Sequence, residues 1–269
     1  MNDVALSRNG ARVLRGFFVL VVVFLYAPIA ILLVFSFNDS AVPTFPLGGF
    51  TLHWYHQFLV NGDLRAALQT SALVAALTSL GAACLGVLSS IALVRRFRGR
   101  PLVSALLLSP LVIPYLVFGI ALLLLFHTLG VQNGVPTVVI GHIVITLPYT
   151  ILVLVPRLEQ IDVSLGEAAY DLGASRFRTF RSITLPLILP AVMSALLIAF
   201  TTSFDEYAVA SFLAGSQSTF PIYLYSALRF PSQLPQVIAV AVVVLVISLG
   251  VVVAAEVGRR ALENRRVLG

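Results

Sequence analysis

Long apolar runs alternate with short polar stretches along this chain. Six runs are long enough to cross a hydrocarbon layer about 30 Å thick, which takes about 20 helical residues: 17–37, 66–94, 102–129, 138–155, 187–213 and 237–257. The connections carry residues that break regular structure. Asp39, Pro43, Pro46, Gly48 and Gly49 follow the first run, Asn133-Gly134 follows the third, and Pro221, Pro231 and Pro235 follow the fifth. Two features inside the runs modify this pattern. Ala72, Ala75, Ala76, Ser79, Gly81, Ala82, Ala83 and Gly86 crowd the second run with small residues, which let helix backbones approach closely in lipid. Pro110, Pro114 and Gly119 interrupt the third and predict kinks. The segment Phe50-Thr51-Leu52-His53-Trp54-Tyr55 is short and aromatic, and predicts an interfacial helix, since tryptophan and tyrosine favour the membrane–water boundary.

Composition makes the membrane assignment firm. Of the 269 residues, 59% are hydrophobic and 10% charged, and mean hydropathy is +1.02. Soluble domains carry about 25% charged residues, so this chain has too little polar material to cover a water-facing surface. The fold class is all-α: a polytopic membrane protein with six transmembrane helices, read as a single transmembrane domain over 1–269. The basic start with Arg8, Arg12 and Arg15 resembles a signal peptide. The run after it is a full crossing with no Ala-x-Ala site behind it, so it reads as a retained first helix.

Charge then sets topology. All 17 basic residues are arginine, and fifteen lie in the N-terminus, the second-to-third loop, the stretch 157–186 and the tail. Arg65 and Arg229 alone fall in the alternate loops. The positive-inside rule places both termini, the second-to-third loop and 157–186 in the cytoplasm. The same distribution accounts for the net charge of +6 without nucleic acid. The absence of lysine excludes a P-loop and a lysine Schiff base, so ATP chemistry must belong to another chain. The single cysteine, Cys84, lies in an apolar run and reads as a small packing residue. His53, His56, His127 and His142 form no metal-ligand constellation with it. No catalytic residue and no metal site is expected, and the chain is not an enzyme.

The stretch 157–186 is the polar centre of the pattern. Ser164, with Glu167 three residues on, makes a capping box. Leu165, Ala168, Ala169 and Leu172 recur at helical spacing and form a stripe kept thin by alanine. Gly173 suits a helix C-terminus, a second short helix can pass through Phe177 and Phe180, and Pro186 begins the fifth span. Read by these rules alone, the stretch is a solvated loop with one capped helix. The informative intramembrane charges are Asp205 and Glu206, about 27 Å of helix beyond Pro186 at 1.5 Å per residue. Thr201, Thr202, Ser203 and Tyr207 surround them, with Thr201 and Asp205, and Thr202 and Glu206, at i, i+4. Intramembrane carboxylates face a cavity or a partner. One of the two is expected to contact a cationic ligand; the other reading is a structural pair hydrogen-bonded to helix ends. Tyr149 and His142 on the fourth span are further pathway candidates, although a buried histidine is more often a satisfied packing group.

A family resemblance enters on specific residues. Glu167-Ala168-Ala169, Gly173 and Ile183-Thr184-Leu185-Pro186, at these separations and between the fourth and fifth spans, resemble the cytoplasmic signature of ABC-importer permeases, the inner-membrane components of binding-protein-dependent transport systems. Leu25-Tyr26-Ala27-Pro28, Ser36-Phe37-Asn38-Asp39-Ser40, Phe97-Arg98-Gly99-Arg100, Gly141-His142-Ile143 and Ser203-Phe204-Asp205-Glu206-Tyr207 are similar to the spermidine/putrescine-type permeases, in the order of the second permease of that system. The resemblance implies the type I importer permease fold and a polyamine or related solute, with opines and phosphonates as neighbouring substrates in the subfamily. It implies that Glu167, Ala168, Ala169, Asp171 and Gly173 form a coupling helix that docks on a cytoplasmic ATPase. Asp205, Glu206, Tyr207 and Tyr149 are the candidate residues of the substrate path, on the reading of the intramembrane charges given above. The chain would hold no cofactor; ATP and magnesium would be bound by two partner ATPase subunits. A second, homologous permease and a periplasmic binding protein complete the expected set, with lipid around them. The alternative is a self-sufficient secondary transporter or channel, against which stand the coupling signature and the lack of an inverted repeat.

Overall fold

The computed structural model describes residues 8–40, 42 and 44–267; Pro43, one of the expected loop formers, lies outside them. In chain order the helices are α1 (Arg8–Phe35), α2 (His53–Val60), α3 (Gly62–Val94), α4 (Arg100–Leu108), α5 (Tyr115–Thr128), α6 (Val135–Glu159), α7 (Val163–Asp171), α8 (Arg176–Thr179), α9 (Leu185–Phe204), α10 (Ala208–Leu213), α11 (Phe220–Ala227) and α12 (Leu234–Val267). A 3₁₀ turn over Ser109–Leu111 extends α4, and a π-helical turn over Phe180–Thr184 joins α8 to α9. Among the described residues five helical stretches are long and apolar enough to cross a membrane: Gly10–Phe35, Gly62–Val94, Val135–Glu159, Arg176–Phe204 and Pro231–Gly250.

A sixth crossing exists only if a bent pair counts as one. Arg100–Leu111 and Tyr115–Thr128 meet at 103°. The expected third span over 102–129 is therefore not one kinked helix but two pieces set nearly at right angles. The physical cause is local: Pro114 removes an N–H from the ladder and pushes Ile113 out of the helical region. The expected fifth span, 187–213, is displaced as well. Its helix begins at Arg176 and ends at Phe204, and 208–213 form the separate α10. The fourth span runs on to Glu159, so Arg157 belongs to the last turn of α6 and not to the loop beyond it.

Contacts divide the described chain into two compact units. The first comprises the residues up to Asn61 with Ser226–Leu249. In it α1 is apolar beyond Arg15, and no part of its membrane-length window is buried, as a helix facing lipid would be. Beyond α1 the chain folds on itself. Asn38 and Phe50 form an antiparallel bridge, and the Phe37 and Phe50 rings stack at 5.2 Å. The aromatic segment runs into α2, and its rings are held to this turn. Trp54 Nε1 donates to the Asn38 carbonyl at 2.9 Å, and Tyr55 Oη donates to Ser36 Oγ at 2.7 Å.

The second unit comprises Gly62–Tyr225 and the described residues from Gly250. Its centre is the mutual packing of α3, α6 and α9. The small residues of α3 form the buried stripe: Ala67, Ser71, Ala75, Thr78, Ala82 and Gly86 are inward. Ala82 and Gly86 meet α6 at Thr150. Its Oγ1 donates to the Ala82 carbonyl at 3.2 Å, and a Cβ on Gly86 would overlap the Thr150 side chain. The absence of a side chain at Gly86 is thus what lets the two backbones approach. Cys84 is exposed on the other face of α3, contrary to the expectation of a packed residue, because the buried stripe passes it by. A second cluster, Val74, Phe126, Val138, Ile145, Val209, Ala210 and Leu213, packs α10 against α3, α5 and α6. Gly86→Leu is expected to force α3 from α6 at an overpacking cost of about 1–3 kcal/mol, read as a lowered melting temperature of the detergent-purified protein. Thr150→Ala in the same background should recover part of it.

Candidate functional site

The stretch between α6 and α9 is built by its caps. Asp162 is the N-cap of α7 and accepts the Ser164 N–H at 2.9 Å. That bond holds the Asp162 carboxyl below the usual carboxylate range. The folded value lies below the unfolded one, so the cap is charged at neutral pH. Its contribution is lost only as pH falls through the depressed value. The expected capping box on Ser164 is thereby corrected: Ser164 lies inside the helix, one residue past its start. At the other end Gly173 has φ +80°. Its N–H reaches the Tyr170 carbonyl, and Ala174 N–H reaches the Ala169 carbonyl, each at 2.9 Å. This is the Schellman arrangement, which satisfies the last carbonyls of a helix and needs a left-handed residue at this position.

The faces of α7 are now defined. Ala169 is buried against the unit, whereas Glu167, Ala168 and Asp171 are exposed. Leu172 is 89% and Val163 73% exposed, the mark of side chains left for another surface. The expected stripe of Leu165, Ala168, Ala169 and Leu172 therefore splits: Ala169 holds α7 to its own chain and the others face outward. Glu167 and Tyr170 also border a cleft of about 420 Å³ shared with Val94, Arg95, Leu158 and Arg176. Past Gly173, Ser175 caps α8 by accepting from Arg178 N–H at 3.3 Å. The chain then passes through the π-helical turn into α9.

The second cluster lies where α9 ends. Regular helix stops at Phe204, and Asp205, Glu206 and Tyr207 form the break before α10. The two carboxylates have different surroundings. Asp205 is exposed and Glu206 is 7% exposed. Both carboxylate oxygens of Glu206 accept the Val209 N–H at 3.0 Å, and Oε2 also accepts from Ala210 N–H at 3.0 Å. These are first-turn donors of α10, which have no partner in their own helix. His142 stands behind them: its Nε2 is 3.2 Å from Glu206 Oε2, an ion-pair distance without the alignment of a hydrogen bond. Its Nδ1 is 2.8 Å from Ser203 Oγ. A break in the helix thus carries its own acceptor for the freed N–H groups, as the interior of a membrane requires. The i, i+4 pairing of Thr202 with Glu206 does not form, because the helix ends between them. Thr201 Oγ1 instead donates to the Leu197 carbonyl at 2.9 Å.

The structure brings Asp205 and Tyr207 out and turns Glu206 in. Tyr207 packs against Tyr225, ring centroids 4.7 Å apart. Tyr149 is half-buried and shares a 3.0 Å hydrogen bond with Tyr115. Sequence reasoning did not single out Asp162, Tyr115 or Tyr225. An aspartate two residues before a serine at a helix start was a readable signal for the first; the two tyrosines come from distant segments and carried none.

Comparison with known proteins follows this geometry. Residues 82–264 match the family described as binding-protein-dependent transport system inner membrane component. The chain is 40% identical over 250 residues to the spermidine/putrescine transport system permease protein PotC of Escherichia coli K12, covering 91% of this chain and 93% of that one. It is 36% identical over 257 residues to the putrescine transport system permease protein PotI of the same organism, covering 91% and 89%. In fold it resembles a chain of a bacterial ABC transporter involved in import of the acidic polysaccharide alginate. That match has a TM-score of 0.74 at 18% identity and covers 91% of this chain and 97% of that one. The motif between α6 and α9, the membrane-length helices and these relatives agree, and the chain belongs to the family of inner-membrane components of binding-protein-dependent transport systems.

Proposed function

We propose that this chain is the permease subunit of an ATP-driven importer for polyamines or closely related organic cations. The observation that carries the coupling half is α7: a short helix, capped at both ends, set between two membrane helices and presenting Ala168, Asp171 and Leu172 outward. Its partner is a cytoplasmic ATPase subunit, present in two copies, which binds the ATP and magnesium that this chain cannot. A second, homologous permease and a periplasmic binding protein complete the assembly, with both termini of this chain cytoplasmic and 1–269 acting as one transmembrane domain. The names of the relatives support the substrate class. So does the chemistry of the break: an exposed carboxylate at Asp205, two positions before Tyr207, whose ring packs on Tyr225, offers an acceptor and aromatic faces to an ammonium group, through charge and cation–π attraction. Glu206 is assigned a different role from Asp205. Its charge is already used on α10 and His142, so it shapes the break and Asp205 faces the ligand, with Tyr149 further along the path.

Four measurements test this reading. In proteoliposomes holding the whole assembly, spermidine or putrescine uptake is expected only with ATP; uptake by this chain alone down an ion gradient would make it a secondary transporter. Gly173→Pro cannot adopt φ +80° and loses the bond to Tyr170, so membrane insertion should persist while ATP hydrolysis no longer drives import; normal import would remove α7 from coupling. Asp205→Asn should raise KM for the cation about tenfold, the equivalent of about 1.4 kcal/mol, with the melting temperature unchanged. Glu206→Ala should instead destabilise the protein by about 3–5 kcal/mol, the cost of leaving a buried partner and N–H groups unmatched. The reverse pattern would exchange the two roles.

A further inference from the structure

One charged side chain in the membrane-helix bundle is turned onto another helix's backbone. Arg157 is on the last turn of α6. Its Nε and Nη2 both donate to the Leu187 carbonyl, at 3.2 and 3.1 Å, across thirty positions of sequence. Nη1 reaches Gln160 Oε1 at 3.4 Å. An arginine near a helix end ordinarily runs its head outward to water. This one is half-buried, with two prongs of its fork on one carbonyl.

The place where the fork lands matters. Leu187 lies in the first turn of α9, between the π-helical turn over Phe180–Thr184 and Pro190. A π turn and an internal proline both weaken the regular i to i−4 ladder and are where helices bend. Residues 180–190 are therefore the most compliant part of the helix that carries Asp205 at its other end. Along the chain the docking helix α7 joins the bundle through two roots, the end of α6 and this compliant start of α9, and Ala169 seats it between them. A displacement of α7 would be taken up as bending at the α9 root unless that root were fixed. Arg157 fixes it to α6.

We propose that Arg157 is a positioning residue for transport. It closes 157–187 into a mechanical loop, so that α6 and α9 move as one body with α7 and the motion reaches Tyr149 and Asp205 together. Arginine suits this because its planar fork places two donors on one acceptor; lysine offers a single unforked ammonium. The inference rests on the importer reading above, and its test separates the two.

In the complete assembly reconstituted in proteoliposomes, ATP hydrolysed per solute imported is measured for Arg157→Gln and Arg157→Lys. Arg157→Gln should insert and assemble, keep binding-protein-stimulated hydrolysis near the wild-type rate, and raise ATP per solute about tenfold, within the range of single-residue coupling effects. Arg157→Lys should fall between. A Lys variant no better than Gln, or hydrolysis and import falling together at constant ratio, would overturn the strut. So would a wild-type ratio in Arg157→Gln. If the unsubstituted assembly itself shows no ATP-driven import, the importer reading fails first and the strut with it. A second measurement needs no change at Arg157. Spin labels on Leu152→Cys and Leu189→Cys, both exposed, in a Cys84→Ser background should report one separation, the same with and without a non-hydrolysable ATP analogue. A separation that changes between those states would overturn the proposal.

Discussion

A backbone N–H or C=O inside a hydrocarbon layer has no water to bond, and each one left alone costs several kcal/mol. Much of this structure follows from that constraint. Where the helices are regular it is met by the ladder. Where they are interrupted, a side chain within the chain takes over. Glu206 accepts from the first-turn N–H groups of α10, and Thr137 Oγ1 donates to the Leu213 carbonyl at its end. Between helices, Thr150 adds a bond to the Ala82 carbonyl of α3, and Arg157 adds two to the Leu187 carbonyl of α9. These residues are spread over α6 and the α9–α10 break. They show α6 acting as the polar spine against which the broken elements are set.

The same constraint explains why the two carboxylates differ. A charge deep among helices must be matched or it is neutralised or expelled. Glu206 is matched three ways, by N–H groups, by His142 and by the dipole of α10. Asp205, one residue earlier and outside that network, is exposed. Adjacent positions separated by a helix break thus come to hold a structural charge and a free one. A continuous helix would have placed them about 100° apart on the same rod and left both unmatched.

At the other end of α9 the argument is mechanical. The capped helix α7 has a rigid interior, an inward Ala169 that keeps it seated, and outward Val163, Ala168 and Leu172. What surrounds it is less regular: a π turn, a proline and a cleft bordered by Arg95, Glu167 and Arg176. The Arg157–Leu187 contact ties this less regular root of α9 to the end of α6.

The apolar runs determined by themselves that the chain is all-helical and membrane-spanning, because no other arrangement covers so little polar material. The small residues of the second run marked the inward face of α3, and Gly173 marked the end of α7, since a left-handed position suits few other residues. The motif around Glu167 named the family before any coordinates. The tertiary structure alone decided the rest. Prolines announce a bend but not its size, so the 103° break at 112–114 was not readable as such. The periodicity of 187–213 continues through Asp205–Tyr207, and only the packing of α10 on α5 and α6 shows that the helix stops there. Which carboxylate is buried depends on His142, sixty-four positions earlier in the chain. That Arg157 points at Leu187 depends on how α6 meets α9. Local patterns carry local rules; contacts between distant segments are set by which faces pack, and one sequence read along its length does not contain that order.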